Sequence, residues 1–255
     1  MGDHMVLQQN SSVKLWGRAD GKKVTITTSW NNRTYRTSTD KDGNWLVKVD
    51  TPAGGYTPYS ITISDGTPVT LSDILIGEVW ICSGQSNMEM RMMGNSAQPV
   101  DNSLETILNA GNYRDRIRFI TVPRIKDIQK RTDFEGKKWE VSSPETTIDC
   151  SATGYFFAKQ LTQSLNLPVG LVINSWGGSA IEAWMDEQTL STIEGMNIEA
   201  AKSPKRDVRQ RLECLYNLML WPVKNFTARG FLWYQGESNI SNYQFYAPMM
   251  TAMVQ

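Results

Sequence analysis

Long apolar runs set the tightest limit on what this chain can fold into, and they begin only after Ser72. Ile74–Cys82, Ile117–Val122, Val169–Ser175 and Gly230–Tyr234 are short, continuous and apolar, the pattern of strands buried on both faces of a parallel sheet. Between them, Ala152–Leu165 places Tyr155, Phe156, Leu161 and Leu165 near one helical stripe. Val208–Trp221 does the same with Leu212, Leu215 and Leu218. Strands alternating with helices predict an α/β architecture, and in such sheets ligands gather at the carboxyl ends of the strands.

Before Ser72 the texture differs. Val13–Trp16, Val24–Thr28, Arg33–Ser38, Trp45–Val49, Tyr59–Ile63 and Val69–Leu71 are short β-rich runs, separated by turn signals such as Asn31-Asn32 and Asp40-Lys41-Asp42-Gly43. That spacing predicts a small β-sandwich. The expected division is therefore a β-sandwich over 1–72 and an α/β domain over 73–255. Trp16, Trp30 and Trp45 are read as packing residues of the first part, with stacking on sugar rings as the alternative.

Composition removes several function classes. Lys plus Arg and Asp plus Glu number 26 each, so no net field draws the chain to nucleic acid or to an anionic membrane. The basic run Lys202 to Arg211 is read as a solvated loop and helix face. No apolar stretch approaches the roughly 18 residues of a membrane helix, and the start, MGDHMVLQQ, shows no signal-peptide pattern. Cys82, Cys150 and Cys214 are widely spaced without a CxxC, which points to buried free thiols rather than a disulfide framework or a zinc site. Nothing in the sequence calls for a metal or an organic cofactor.

Three strand ends carry polar blocks. Gly84-Gln85-Ser86-Asn87-Met88-Glu89 offers Ser86 as a nucleophile at a helix start, but Ser86 and Glu89 also fit a capping box, as do Ser179 and Glu182 further on. The block is not the α/β-hydrolase elbow, because Met88 stands where G-x-S-x-G needs glycine. Asn174-Ser175-Trp176-Gly177-Gly178-Ser179 pairs two glycines with a strand end, which suits an oxyanion site or simply a tight turn. Trp233-Tyr234-Gln235-Gly236-Glu237-Ser238-Asn239 is a polar cluster directly after an apolar strand and belongs at the open end of the sheet.

Together, GQSNME at Gly84 to Glu89, NSWGGS with the following Glu182-Ala183-Trp184, and WYQGESN at Trp233 to Asn239 resemble the sialate O-acetylesterase branch of the SGNH (GDSL-like) hydrolases, which includes acetylxylan esterases. The opening Asp3 to Gln8, DHMVLQ, extends the resemblance over essentially the whole chain. It implies a three-layer α/β/α domain, incomplete at its C-terminus, and a serine acetylesterase acting on an acetylated sugar or glycan. Ser86 would be the nucleophile, and its own N–H, the Gly177 or Gly178 N–H and the Gln235 amide would hold the oxyanion. Gln85, Asn87 and Glu237 would support them. The family's frequent export implies a periplasmic or extracellular home.

The base is the gap in this scheme. The family's histidine lies in a D-x-x-H segment beyond the QGESN block, whereas the single histidine here is His4. The base and its carboxylate are therefore expected beyond Gln255, with this chain alone near-inactive and its sheet open to association at one edge. The rival expectation is a non-catalytic carbohydrate-binding protein with a degenerate pocket.

Overall fold

A computed structural model describes residues 1–127, 129–134 and 136–255. Its strands are β1 (Val6–Gln8), β2 (Ser12–Arg18), β3 (Lys23–Thr28), β4 (Arg33–Ser38), β5 (Asn44–Asp50) and β6 (Gly55–Ser64). They continue with β7 (Pro68–Gly84), β8 (Ile117–Thr121), β9 (Glu140–Val141), β10 (Val169–Ser175) and β11 (Gly230–Tyr234). Parallel strands with interspersed helices make this an α/β fold.

β7 organises the molecule. Its 17 residues run without a break through residue 73, with β6 antiparallel along the first part and β10 and β11 parallel on either side of the last part. The runs Val69–Leu71 and Ile74–Cys82, read as two strands, are one. At the junction Asp73 adopts φ 55, and the register with β6 shifts between Tyr59 and Ile61, so the change of texture marks a bulge inside a strand. The sheet order is β4-β3-β6-β7-β10-β8-β9, with β1 also paired to β7, while β2 and β5 form a separate antiparallel pair. One apolar cluster, reaching from Val13 and Ile26 through Ile76 to Leu218 and Val223, crosses the sequence boundary.

The aromatic residues of the first part pack rather than face solvent. Trp45 is buried against Gly17, Trp16 meets Phe226 edge-on at 5.0 Å, and Trp30 donates its indole N–H to the Asp50 carbonyl.

Ala152–Leu165 is a helix with the expected bounds, capped by the Ser151 hydroxyl, which accepts the Gly154 N–H. Its buried face overlaps the expected stripe at Tyr155, with Phe156 and Leu161 packed partly buried against the same core. Ala152, Gly154, Tyr155, Ala158 and Thr162 turn inward, whereas Leu165 is 47% exposed. Small residues on that face let the helix lie close to β10. Val208–Trp221 is not one helix: turns precede a π-helical Tyr216–Leu220, although Leu212, Leu215 and Leu218 are buried as expected. β11 is not buried on both faces, since Phe231 is 60% exposed. Among the described residues it pairs with β7 alone, which explains the difference.

Candidate active site

The three polar blocks meet at one level of the sheet. In register, Gly84 of β7 stands between Ser175 of β10 and Tyr234 of β11. Beyond that level the Trp176 N–H donates to the Gly84 carbonyl at 3.0 Å, and the Gln85 N–H donates to the Tyr234 carbonyl at 2.9 Å. Gly84 itself has φ 138, and a Cβ there would lie 2.2 Å from the Tyr234 carbonyl oxygen. Only glycine lets the three chain ends close to this distance.

Ser86 begins a one-turn helix, Ser86–Glu89. Gln85 is its N-cap and no side chain caps it, so the capping-box reading of Ser86 and Glu89 does not hold. The second box is absent too: the Ser179 hydroxyl accepts the Trp184 indole N–H, and Glu182 accepts amides of Asn239 and Asn242. The Ser86 side chain is exposed and makes no hydrogen bond to a described residue. It opens onto a cavity of about 860 Å³ whose lining includes Glu89, Arg91, Arg124, Lys137, Glu140 and Gly177. Burial pushes the Glu140 carboxyl above the usual carboxylate range; Lys137 opposes this shift and the Asp149 charge adds to it.

Gly177 faces the serine. A Cβ at 177 would stand 3.6 Å from Ser86 Cβ and 3.1 Å from a Glu89 carboxylate oxygen. Gly178 supplies the left-handed turn at φ 74 and lies against Arg209, away from Ser86. The Gly177 N–H is donated to Glu89 Oε2, while Arg124 pairs with Glu89 Oε1.

The expected supporting residues join the blocks. The buried Gln85 carboxamide oxygen accepts the N–H groups of Gly236 and Ser238, at 3.3 and 3.2 Å. Asn87 donates its amide to Glu237 at 2.9 Å. Ser151 and Thr153 donate hydroxyls to the Met88 and Asn87 carbonyls, so the helix that begins at Ala152 clamps the Ser86 turn from behind. Gln235 is placed differently from its expected oxyanion role. Its Nε2 donates to the Ser179 carbonyl at 3.0 Å and to Asn239 Oδ1 at 2.7 Å, and the residue does not line the cavity.

Two residues escaped the sequence reading, Arg124 and Arg209, and two more, Asn239 and Glu182, were quoted without their role here. Arg124 follows the carboxyl end of β8, where the strand-end rule would have found it. Arg209, inside the basic run read as solvated, donates to the Gly177 carbonyl at 3.2 Å and pairs with Asp207. Asn239 and Glu182 sit within the quoted blocks and are buried, tying the second block to the third. Among the described residues no group of three or more His, Cys, Asp or Glu is arranged to hold a metal, and no helix is long and apolar enough to cross a membrane.

The chain has known relatives. Residues 76–255 match the family described as carbohydrate esterase, sialic acid-specific acetylesterase, and the chain belongs to that family. Human sialate O-acetylesterase is 29% identical over 265 residues, which cover 94% of this chain and 48% of the human protein. The rat sialate O-acetylesterase is 28% identical over 297 residues, covering 99% of this chain and 54% of the rat protein. The crystal structure of a carbohydrate acetylesterase from Xanthomonas citri superposes with a TM-score of 0.84 at 30% identity, over 99% of this chain and 54% of that one. The chain thus spans about half the length of these relatives.

Proposed function

We propose that the protein is a serine O-acetylesterase acting on an acetylated sialic acid or a related acetylated glycan. The observation that carries this reading is the exposed Ser86 hydroxyl, without a hydrogen-bond partner among the described residues, beside Gly177 at the mouth of the cavity. Ser86 Oγ attacks the acetyl carbonyl carbon as its proton passes to a base. The tetrahedral oxyanion is held by the N–H groups of Ser86 and Gly177, donors placed where charge develops. Collapse expels the sugar oxygen, which takes up the proton, and leaves acetyl-Ser86. Water activated by the same base then releases acetate and restores the serine.

The base is assigned to sequence outside these residues, because His4 is held against Asp73, eleven residues before Gly84 along β7. The same reading assigns the partner of the open β11 edge to sequence outside them, and places the protein in the periplasm or outside the cell. Loss of a triad histidine costs on the order of 10⁶ in kcat and leaves about 10³–10⁴ over water. The 255 residues alone are therefore expected to be nearly inert.

The test is acetate release from O-acetylated sialic acid, with acetylxylan alongside, by a C-terminally extended protein and its Ser86→Ala variant, folding being checked by circular dichroism. Turnover that stops with Ser86→Ala supports the reading. Wild-type turnover in Ser86→Ala overturns it, and sugar binding without any turnover favours a non-catalytic binding protein.

A further inference from the structure

Glu89 stands in the way of the chemistry just proposed. One of its carboxylate oxygens already holds the Gly177 N–H, and the other holds the Arg124 guanidinium. A backbone N–H has a single hydrogen, so the carboxylate and a substrate oxyanion compete for it. A fixed negative charge at this point also opposes a second one forming beside it, whereas the Arg124 cation favours it. The Glu89 and Arg124 side chains are 25% and 37% exposed, so Glu89 can swing into the cavity without disturbing the core.

The two donors differ from a general cationic surface. The Gly177 peptide is fixed from two sides: the Arg209 guanidinium donates to its carbonyl, and the neighbouring Trp176 N–H donates to the Gly84 carbonyl. Arg124 presents a planar fork that matches a carboxylate. A carboxylate bridging these two donors is what the structure contains.

We propose that the Gly177 N–H and the Arg124 guanidinium form a seat for a small monocarboxylate, that Glu89 fills it from within the chain, and that Glu89 must vacate it before the acyl oxygen is stabilised. Acetate carries the same headgroup as the glutamate side chain and fits the vacated seat, so the product of the proposed reaction competes there with the next substrate. The catalytic meaning of the seat rests on the acetylesterase reading. Its existence does not.

The test titrates the isotopically labelled 255-residue protein with sodium acetate at constant ionic strength, following the Gly177 amide resonance. If Glu89 fills the seat about nine-tenths of the time, it weakens apparent acetate affinity about tenfold. Glu89→Ala is therefore expected to bind acetate about tenfold more tightly than wild type at Gly177, and the gain is expected to vanish in Glu89→Ala/Arg124→Ala. Glu140→Ala, which removes another cavity carboxylate, is expected to give no gain. Glu89→Gln serves if the alanine variant fails to fold, with the same direction expected. Unchanged affinity in a folded Glu89 variant, or a gain that survives loss of Arg124, overturns the seat.

Kinetics of the extended protein supply an independent sign pattern. Relieving the competition is expected to raise kcat/KM several-fold, about 3–10, in Glu89→Gln. Arg124→Ala strands the carboxylate charge beside the oxyanion and is expected to lower it about tenfold. A fall in both variants marks Glu89 as merely structural and overturns its role as a competitor. Turnover that ignores Ser86 sinks the esterase reading and leaves the acetate result standing.

Discussion

His4 Nδ1 lies 2.7 Å from Asp73 Oδ2, eleven residues before Gly84 along β7 and far from Ser86. β1 and β7 are parallel and pair from Val6 opposite Leu75, which holds His4 at the start of the strand. At about 3.3 Å per residue, the eleven steps from Asp73 to Gly84 carry the chain roughly 36 Å. The histidine is thus a joint of the fold, out of reach of the serine.

His4→Ala is accordingly expected to leave Ser86-dependent acetate release in the extended protein within about twofold of wild type, since loss of the triad base costs far more, on the order of 10⁶ in kcat. A loss of a hundredfold in steady-state assays would return His4 to the catalytic machinery.

Asp73 makes stability depend on pH. Burial opposes ionisation of its carboxyl, but hydrogen bonds from His4 and Arg118, with the charges of both, outweigh it and hold the group below the usual carboxylate range. A depressed carboxylate contributes stability above its unfolded pKa and loses it as pH falls through the folded one. Arg118 is 1% exposed, so Asp73→Asn leaves a buried guanidinium short of its counter-charge. Asp73 is 36% exposed and its backbone carbonyl also accepts from Arg118, which brings the expected cost at pH 7 to about 2 kcal/mol, below the ~3–5 of a fully buried pair. Denaturant melts across pH should show the gap between the two proteins closing in acid, and a gap that widens there would refute the assignment.

Gly84 and Gly177 should respond in different ways to alanine. At Gly84 the methyl group meets a carbonyl oxygen at 2.2 Å on a backbone with φ 138, so Gly84→Ala is expected to destabilise by at least about 3 kcal/mol. At Gly177 it meets the movable end of Glu89 at 3.1 Å, so Gly177→Ala should fold normally while crowding the approach to Ser86. Thermal melts separate the two, and a stable Gly84→Ala would contradict the packing of the three strand ends.

Gln235→Ala distinguishes a strut from an oxyanion donor. Losing the bonds to Ser179 and Asn239 is expected to cost about 1–2 kcal/mol of stability and up to about tenfold in kcat. A drop of about 10²–10³ in kcat with unchanged stability would instead show that its amide turns to the oxyanion.

Native thiols should be silent. Cys82, Cys150 and Cys214 are free and buried, and burial pushes the Cys82 thiol up to about 12 and raises Cys150 as well. A disulfide exchange reagent at pH 8 is expected to find no fast-reacting Cys82 or Cys150 until denaturant is added; rapid native labelling at either would show the core opening.

The sequence disclosed what depended on local pattern. The runs assigned to β7, β8, β10 and β11 form strands, and the helix Ala152–Leu165 has its expected bounds, because continuous apolar runs and capping signals are local. Of that helix's expected stripe only Leu165 lies off the core, where tight packing on β10 favours Ala158 and Thr162. The three blocks marked a candidate site through their position after strands, and the register brings them level at Gly84. The grip of Arg124 on Glu89 and of Arg209 on Gly177 joins residues distant in sequence, and no periodicity encodes it.

A cut at residue 73, where the texture of the sequence changes, would sever β7 and split the larger sheet, which runs through both parts of the chain. The two halves are not beads that recombination could exchange on a string. They share one axle, and a gene fusion that swapped the first 72 residues would have to supply the opening residues of β7, from Pro68 onward, in register with the rest.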